Sequence, residues 1–390
     1  MIEGRAISIS LFTGAGGLDI GMEHAGFHTV SIVEKDSDSA KTIALNRPYL
    51  KNAVARDIQQ IKASDLLEEG GCAIDLGRSL RPGEIDLVTG GPPCQPFSTA
   101  GKRGSVIDPR GSLFMDFIRI VEQLQPRFFV MENVRGLLSA PIRHRPHLQR
   151  GMGYPPLEQD EMQGSALQVV LAEMKSLGYQ VVYNLLEAAD YGVPQNRERV
   201  IFIGSRESEA VTFPLPTHSN SGISLPKWHT LQDALINLND PQPEYTPYSN
   251  SRLKYLKLLK GGQNWRNLPD ELKKEAMGGA YNSGGGKVGF YRRLSWNKPS
   301  PTVTTSPYQK ATDMCHPEEL RPLSVRECAK IQTFPDDWIF YGSTASKYRQ
   351  IGNAVPILLA QAIGKHLYKL LQEEKTAGIQ IFEQLSLFAQ

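Results

Sequence analysis

The stretch from Ile7 to Ala25 limits the architecture more than any other part of the chain. An apolar run, Ile7 to Phe12, ends in Thr13-Gly14-Ala15-Gly16-Gly17, and an amphipathic run, Leu18 to Ala25, follows. This order reads as a buried strand, a tight turn and a helix, the opening unit of a parallel sheet with crossover helices. Val30 to Val33, Asp86 to Val88 and Phe128 to Met131 read as further buried strands, each closing on polar or charged residues. Val181 to Leu186 and Arg199 to Ile203 add two more around the loop Ala189 to Glu198. The expected fold is α/β with one continuous, mostly parallel sheet, whose C-terminal strand ends are where ligands bind.

After Gly204 the texture changes. Pro, Ser, Thr, Asn and Gly become frequent, and the cluster Gly284-Gly285-Gly286 interrupts any regular helix, so a second, smaller and irregular domain is expected. Helical periodicity returns at Ser324 to Thr333 and from Val355 to Leu371. The expected division is a catalytic domain of residues 1–204 and 341–390 and a second domain with its hinge over 205–340. With 390 residues, 40% of them hydrophobic, the chain can bury cores for both. Pro141 to Gln163 reads as a surface insertion without an assigned role.

The N-terminal Met-Ile-Glu-Gly-Arg lacks the basic flank and apolar core of a signal peptide, and no run approaches 18 apolar residues, so a cytoplasmic protein without a membrane span is expected. Cys72, Cys94, Cys315 and Cys328 lie far apart, which suggests neither a zinc site nor a disulfide framework; no metal is expected. Net charge is only +2, but its distribution is uneven: +5 over residues 102–150 and again over 205–300, against −4 over 1–101 and 151–204. Two basic blocks of this size suit a polyanionic partner.

The glycine turn lets a ligand approach the backbone at a helix N-terminus. Glu34 follows Gly14 by 20 residues, a spacing suited to holding ribose hydroxyls. Asp19 stands where a dinucleotide fingerprint has its third glycine, so an adenosine carrying an amino-acid tail fits better than NAD. The run Gly90-Gly91-Pro92-Pro93-Cys94-Gln95-Pro96-Phe97-Ser98 is more specific. Its two prolines stiffen the approach to a cysteine just past a strand end, in a basic loop that favours the thiolate.

In their order these motifs resemble the DNA cytosine-5 methyltransferase family over nearly the whole chain. Ile9 to Gly17 resembles its opening motif and Gly90 to Ser98 its nucleophile motif. Glu132-Asn133-Val134, Gln195-Asn196-Arg197-Glu198-Arg199, Arg321 to Trp338 and Gly352-Asn353-Ala354-Val355 resemble four others. The resemblance implies a Rossmann-like S-adenosylmethionine-dependent methyltransferase domain plus a smaller target-recognition domain. It implies Cys94 as nucleophile at carbon 6 of a flipped cytosine, Glu132 as the acid at ring nitrogen 3, and Arg199, with Arg197 beside it, at the base carbonyl and nearby phosphate. S-adenosylmethionine contacts would come from Phe12, Gly14, Gly16, Glu34, Asp57 with Ile58 at the adenine edge, Pro93 and Asn353. Spacing alone leaves Asp65 or Asp75 open in place of Asp57. Lys35 stands where many relatives carry an aromatic residue over the adenine.

The substrate implied is double-stranded DNA. Ser98, Lys102, Arg103 and Arg110 in the loop after Cys94, and Arg252, Arg292, Arg293 and Thr304 in or beside the variable region, are the expected contacts. A transfer-RNA cytosine-5 methyltransferase with the same motifs, or a non-catalytic DNA-binding regulator on the same scaffold, are the alternatives. A stand-alone monomer is expected, compatible with a partner restriction endonuclease. Gln384-Leu385-Ser386-Leu387-Phe388 resembles the peptide by which bacterial replication proteins dock onto the sliding clamp, and a terminal turn packing on its own domain is the other reading of it.

Overall fold

The computed structural model describes residues 6–93, 113–206, 211–284 and 286–388, with side chains up to residue 373 apart from that of His147. The first half runs β1 (Ala6–Leu11), α1 (Gly17–His24), β2 (Phe27–Val33), α2 (Ser37–Asn46), α3 (Ala63–Ala73), β3 (Leu87–Gly90), α4 (Leu113–Leu124) and β4 (Phe128–Val134). Then come α5 (Ser165–Ser176), β5 (Gln180–Glu187), the two-residue β6 (Gln195–Asn196) and β7 (Glu198–Ser205). The later chain adds α6 (Leu231–Leu235), α7 (Asn250–Leu256), α8 (Asp270–Met277), β8 (Ser300–Pro301), α9 (Val325–Ile331), α10 (Thr344–Asn353) and α11 (Ile357–Phe388).

Among the described residues six strands form one sheet in the order β2-β1-β3-β4-β7-β5. The β1–β2, β1–β3 and β3–β4 pairs are parallel, while β7 runs antiparallel to both β4 and β5. Both faces are covered. Phe129, Met131, Val200 and Phe202 pack under α3, α4 and α5 through Leu66, Phe117, Val121 and Val170. Their neighbours Phe128, Val130, Ile201 and Ile203 point the other way, onto Leu18 and Met22 of α1 and Leu359, Ile363 and Leu367 of α11. The period-2 alternation within continuous apolar strands is thus divided between two helical layers. In α11 the buried Leu359, Ile363, Leu367 and Leu371 recur every four residues, which lays one stripe along the sheet.

A smaller core lies in the later region, where Tyr248, Tyr255, Leu256, Leu259, Leu268 and Tyr291 gather around α7 and α8. One apolar cluster has members on both sides of residue 340. Leu323, Val325, Cys328, Ile331, Phe334, Trp338 and Phe340 share a cluster with Ile20, Ile32 and Ile43 of the sheet half. The same cluster holds Leu231, Leu235, Leu294 and Val303, so the apolar positions of α9 and the segment after it pack with both halves. Ser324 and Glu327 close the start of α9 as a reciprocal cap.

Candidate active site

Parallel strands β1, β3 and β4 end on the same edge of the sheet, and the antiparallel β7 begins there, so residues 12–14, 90–93, 132–134 and 199 converge. All of these except Gly90 line a cavity of about 660 Å³ together with Glu34, Asp57, Ile58 and Asn353. That size is ordinary for a site enclosing a small organic ligand.

At the β1 end, Phe12 has φ 55, a left-handed backbone unusual for a side chain of its size. The Gly14 N–H donates to Glu34 Oε2 at 2.6 Å and the Asp36 N–H to Oε1 at 2.7 Å. Glu34 is thus fixed at the end of β2 by backbone donors, and burial raises its pKa above the ordinary carboxylate value. Asp57 Oδ2 pairs with Lys35 Nζ at 2.6 Å while Oδ1 caps the turn at Gln59. Hydrogen bonding from Lys35 holds the Asp57 pKa low. Of the eight expected cofactor contacts, Phe12, Gly14, Glu34, Asp57, Ile58, Pro93 and Asn353 line the cavity. Gly16 does not. It caps α1 with φ 83, and a Cβ there would fall 2.8 Å from Ile43 Cδ1 and 3.2 Å from Arg47 Nη1, so it serves the turn and the packing behind it.

At the β4 end, Glu132 Oε1 lies 2.6 Å from Arg199 Nε, and both side chains are nearly buried. The Nε–H is not aligned with that oxygen, so the contact is a charge pair rather than a directed hydrogen bond. The other carboxylate oxygen would be 3.2 Å from a Cβ on Gly91, so the bare backbone there lets residues 90–92 pass close to Glu132. Asn133 Nδ2 donates to Pro92 O at 3.2 Å, tying that approach to β4. Cys94 is the next residue after Pro93 in the chain and, with Ser98, Lys102, Arg103 and Arg110, lies outside the described residues.

Several expected contacts are placed elsewhere. Arg197 does not stand beside Arg199 in the cavity. It is 1% exposed and donates to the carbonyls of Val303, Gly352 and Ala354. Its position in the bend between β6 and β7 breaks the alternation that sequence spacing suggests. Arg293 is buried and donates to Leu259 O and Pro317 O, at 2.8 and 2.9 Å. Arg252 pairs with Asp313, donates to Tyr308 O and lies over the Tyr248 ring. Arg292 Nε donates to Asp313 O at 3.0 Å, and burial lowers its pKa. Arg252 and Arg293 thus turn their guanidinium groups into the smaller core, and Arg292 is tied to it through Nε. The Thr304 hydroxyl is shielded and has no hydrogen-bond partner among the described residues.

Asp36 and Arg349, paired at 3.1 Å, also line the cavity and were not singled out from the sequence. Asp36 was readable as the helix cap it is, since its side chain accepts from Ser39 N.

An open α/β sheet with a nucleoside-sized cavity at its strand ends, and a buried acid paired with a guanidinium on its wall, defines an enzyme acting on a ligand held against the sheet edge. The model of the C-5 cytosine-specific DNA methylase family matches residues 7–369, and the chain belongs to that family: it is a DNA (cytosine-5-)-methyltransferase. It is 41% identical over 364 residues to the Type II methyltransferase M.Sau96I of Staphylococcus aureus, covering 93% of this chain and 75% of that one. It is 37% identical to the Type II methyltransferase M.Eco47II of Escherichia coli, covering 94% and 79%. The structure resembles that of a DNA modification methyltransferase encoded within an E. coli prophage, with a TM-score of 0.60, 26% identity and coverage of 94% and 100%. Neither the transfer-RNA nor the non-catalytic alternative is favoured by this family match. Among the described residues no helix is long and apolar enough to cross a membrane, and no cluster of metal-ligating side chains occurs.

Proposed function

We propose that the protein methylates carbon 5 of a flipped cytosine in a short duplex sequence, as the modification partner of a restriction endonuclease or as an independent methylase. The observation that carries this reading is the Glu132–Arg199 pair, 2.6 Å apart on the cavity wall beside the Pro92-Pro93 segment that leads directly into Cys94. Cytosine carbon 5 is a weak nucleophile, so the ring is activated by covalent addition. The Cys94 thiolate adds to carbon 6, and electron density moves onto the ring. Glu132 delivers a proton toward ring nitrogen 3 as that charge develops. Arg199 holds the base carbonyl and keeps the carboxyl oriented. Loss of the carbon 5 proton and departure of the thiolate restore the aromatic ring; the sequence assigns no base to that step.

S-adenosylmethionine supplies the electrophilic methyl group when bound. The cavity fits it on chemical grounds: Glu34 would accept from ribose hydroxyls, Asp57 and Ile58 would meet the adenine edge, and Phe12, Gly14, Pro93 and Asn353 would complete the walls. Methyltransferases of this family in general use this cofactor. We assign Ser98, Lys102, Arg103, Arg110 and Thr304 to the DNA side on the family resemblance. The division into catalytic and target-recognition domains is supported by the separate core around α7 and α8. The tail Gln384 to Phe388, at the end of α11, is proposed as a docking peptide for the sliding clamp on its sequence alone; unchanged clamp affinity after its deletion would remove that proposal.

The test uses duplex DNA containing 5-fluorocytosine, because fluorine does not leave as a proton does and the covalent adduct persists. The wild-type protein is expected to form an adduct stable to denaturation, and Cys94→Ala none. An adduct with the alanine variant overturns the assignment. Methylation-aware sequencing of DNA from a host expressing the protein supplies the target sequence.

A further inference from the structure

Buried polar groups that the reaction does not use converge where the bend before β7, the segment after β8 and the turn between α10 and α11 meet. Arg197 is 1% exposed and, among the described residues, has no carboxylate in ion-pair contact. Its Nη1 donates to Val303 O at 3.0 Å, and its Nη2 donates to Gly352 O at 2.8 Å and Ala354 O at 3.0 Å. Gln195 accepts from the Val303 N–H at 2.8 Å and donates to Gln332 Oε1 at 2.9 Å. Gln332 in turn donates to Ile351 O at 2.6 Å and Ala354 O at 3.0 Å. The surfaces themselves touch, since a Cβ on Gly352 would fall 2.5 Å from the Thr304 carbonyl carbon and the Thr305 nitrogen.

Burying a guanidinium against neutral carbonyls alone is costly, and an apolar contact would hold two segments together at less expense. What the guanidinium adds is registry. One group fixes Val303, which follows the variable region, and both carbonyls flanking Asn353, which lies on the cavity wall. Moving one segment against the other breaks bonds to the same planar fork.

We infer that Arg197, assisted by Gln195 and Gln332, is a positioning unit that couples the cofactor cavity to the DNA-recognition segment, so that binding of either ligand strengthens binding of the other. The inference rests on the proposed cofactor and DNA sites. Arg197 touches neither ligand in this role; it sets Asn353 and Val303 relative to each other. Coupling between sites is reciprocal, and values of about 5- to 150-fold are typical.

The experiment measures calorimetric binding of S-adenosylhomocysteine to the full chain, alone and with a duplex carrying the sequence found by methylation mapping. For the wild type the duplex is expected to tighten binding about tenfold, within the usual range of such couplings. For Arg197→Gln this ratio falls to within about twofold of one, while affinity without DNA changes less than about fivefold; Arg197→Lys, which keeps a cation and donors, is intermediate. A merely structural role predicts a lower melting temperature and a reduced binding stoichiometry with the ratio unchanged, and that result overturns the inference. So does a wild-type ratio of one. Should the wild type not bind S-adenosylhomocysteine at all, the cofactor reading itself fails, and the coupling with it. If Arg197→Gln does not fold, Gln332→Ala, which releases Ile351 and Ala354 but leaves Arg197 in place, is expected to lower the ratio about two- to threefold; a wild-type ratio in that variant overturns the inference.

Discussion

Glu132 and Arg199 meet at 2.6 Å across neighbouring antiparallel strands, one at the end of β4 and the other at the start of β7. The Nε–H is not aligned with the carboxylate, so charge and proximity hold the two together rather than a directed hydrogen bond. Glu132→Gln keeps the shape and removes the proton, so the methylation kcat is expected to fall by about 10²- to 10⁴-fold while DNA affinity stays within a few-fold. Single-turnover methyl transfer and a gel shift measure the two separately. A variant retaining a tenth of the wild-type rate would mean that Glu132 is not the acid.

Lys35 and Asp57 form an ion pair at the rim of the cavity, and Lys35 is 73% exposed. Exposed pairs contribute about 0–1 kcal/mol, so freeing Asp57 for a ligand costs little. Lys35→Ala is therefore expected to change S-adenosylhomocysteine affinity by less than about fivefold, whereas Asp57→Ala, which removes the acceptor itself, loses about tenfold or more. Calorimetric titration of both variants checks this. Equal losses would show that Lys35 takes part in binding beyond neutralising Asp57.

The sheet was legible because buried parallel strands are written as apolar runs with polar ends, and those ends carry Glu34 and Glu132, while Arg199 opens the antiparallel β7. Gly14 and Glu34 were paired by spacing, and the hydrogen bond between them gives that spacing a physical cause. What the sequence left open was the direction of a charge. Arg252 and Arg293 lie in a basic block that suits phosphate and Arg197 stands two residues before Arg199, yet each turns inward to carbonyls or to Asp313. Nothing local distinguishes an inward arginine from an outward one; the carbonyls that receive Arg197 lie more than 100 residues away. The same long range hid the sharing of a core between Trp338 and Ile43.

Arg293 provides the test of that inward orientation. Its side chain is 8% exposed and donates to Leu259 O and Pro317 O. Arg293→Met leaves these carbonyls unsatisfied and is expected to cost on the order of 3 kcal/mol of stability. The slope of log affinity against log salt for DNA should be unchanged, whereas loss of a phosphate contact would reduce its magnitude by about 1. Denaturant melts and a salt titration of binding give the two numbers. A shallower slope with unaltered stability would return Arg293 to the DNA surface.

Asp19, buried behind the glycine turn, has one carboxylate oxygen without a partner among the described residues. Burial outweighs the opposing pull of Arg47 and raises its pKa from an ordinary 3.8 to about 6. Between these values the folded chain holds the proton more tightly than the unfolded chain does. The stability this group contributes is therefore full below about pH 4, declines as pH rises toward 6, and is lost above that. The shift corresponds to about 3 kcal/mol as an order of magnitude. Asp19→Asn abolishes this titration while other carboxylates titrate equally in both proteins. The difference in unfolding free energy between variant and wild type should consequently move in the variant's favour from pH 4 to 7, by up to about 3 kcal/mol. Urea melts of both proteins across that range measure the difference directly, and parallel curves would show that Asp19 stays ionised behind the turn, held by Arg47 strongly enough to cancel the cost of its burial.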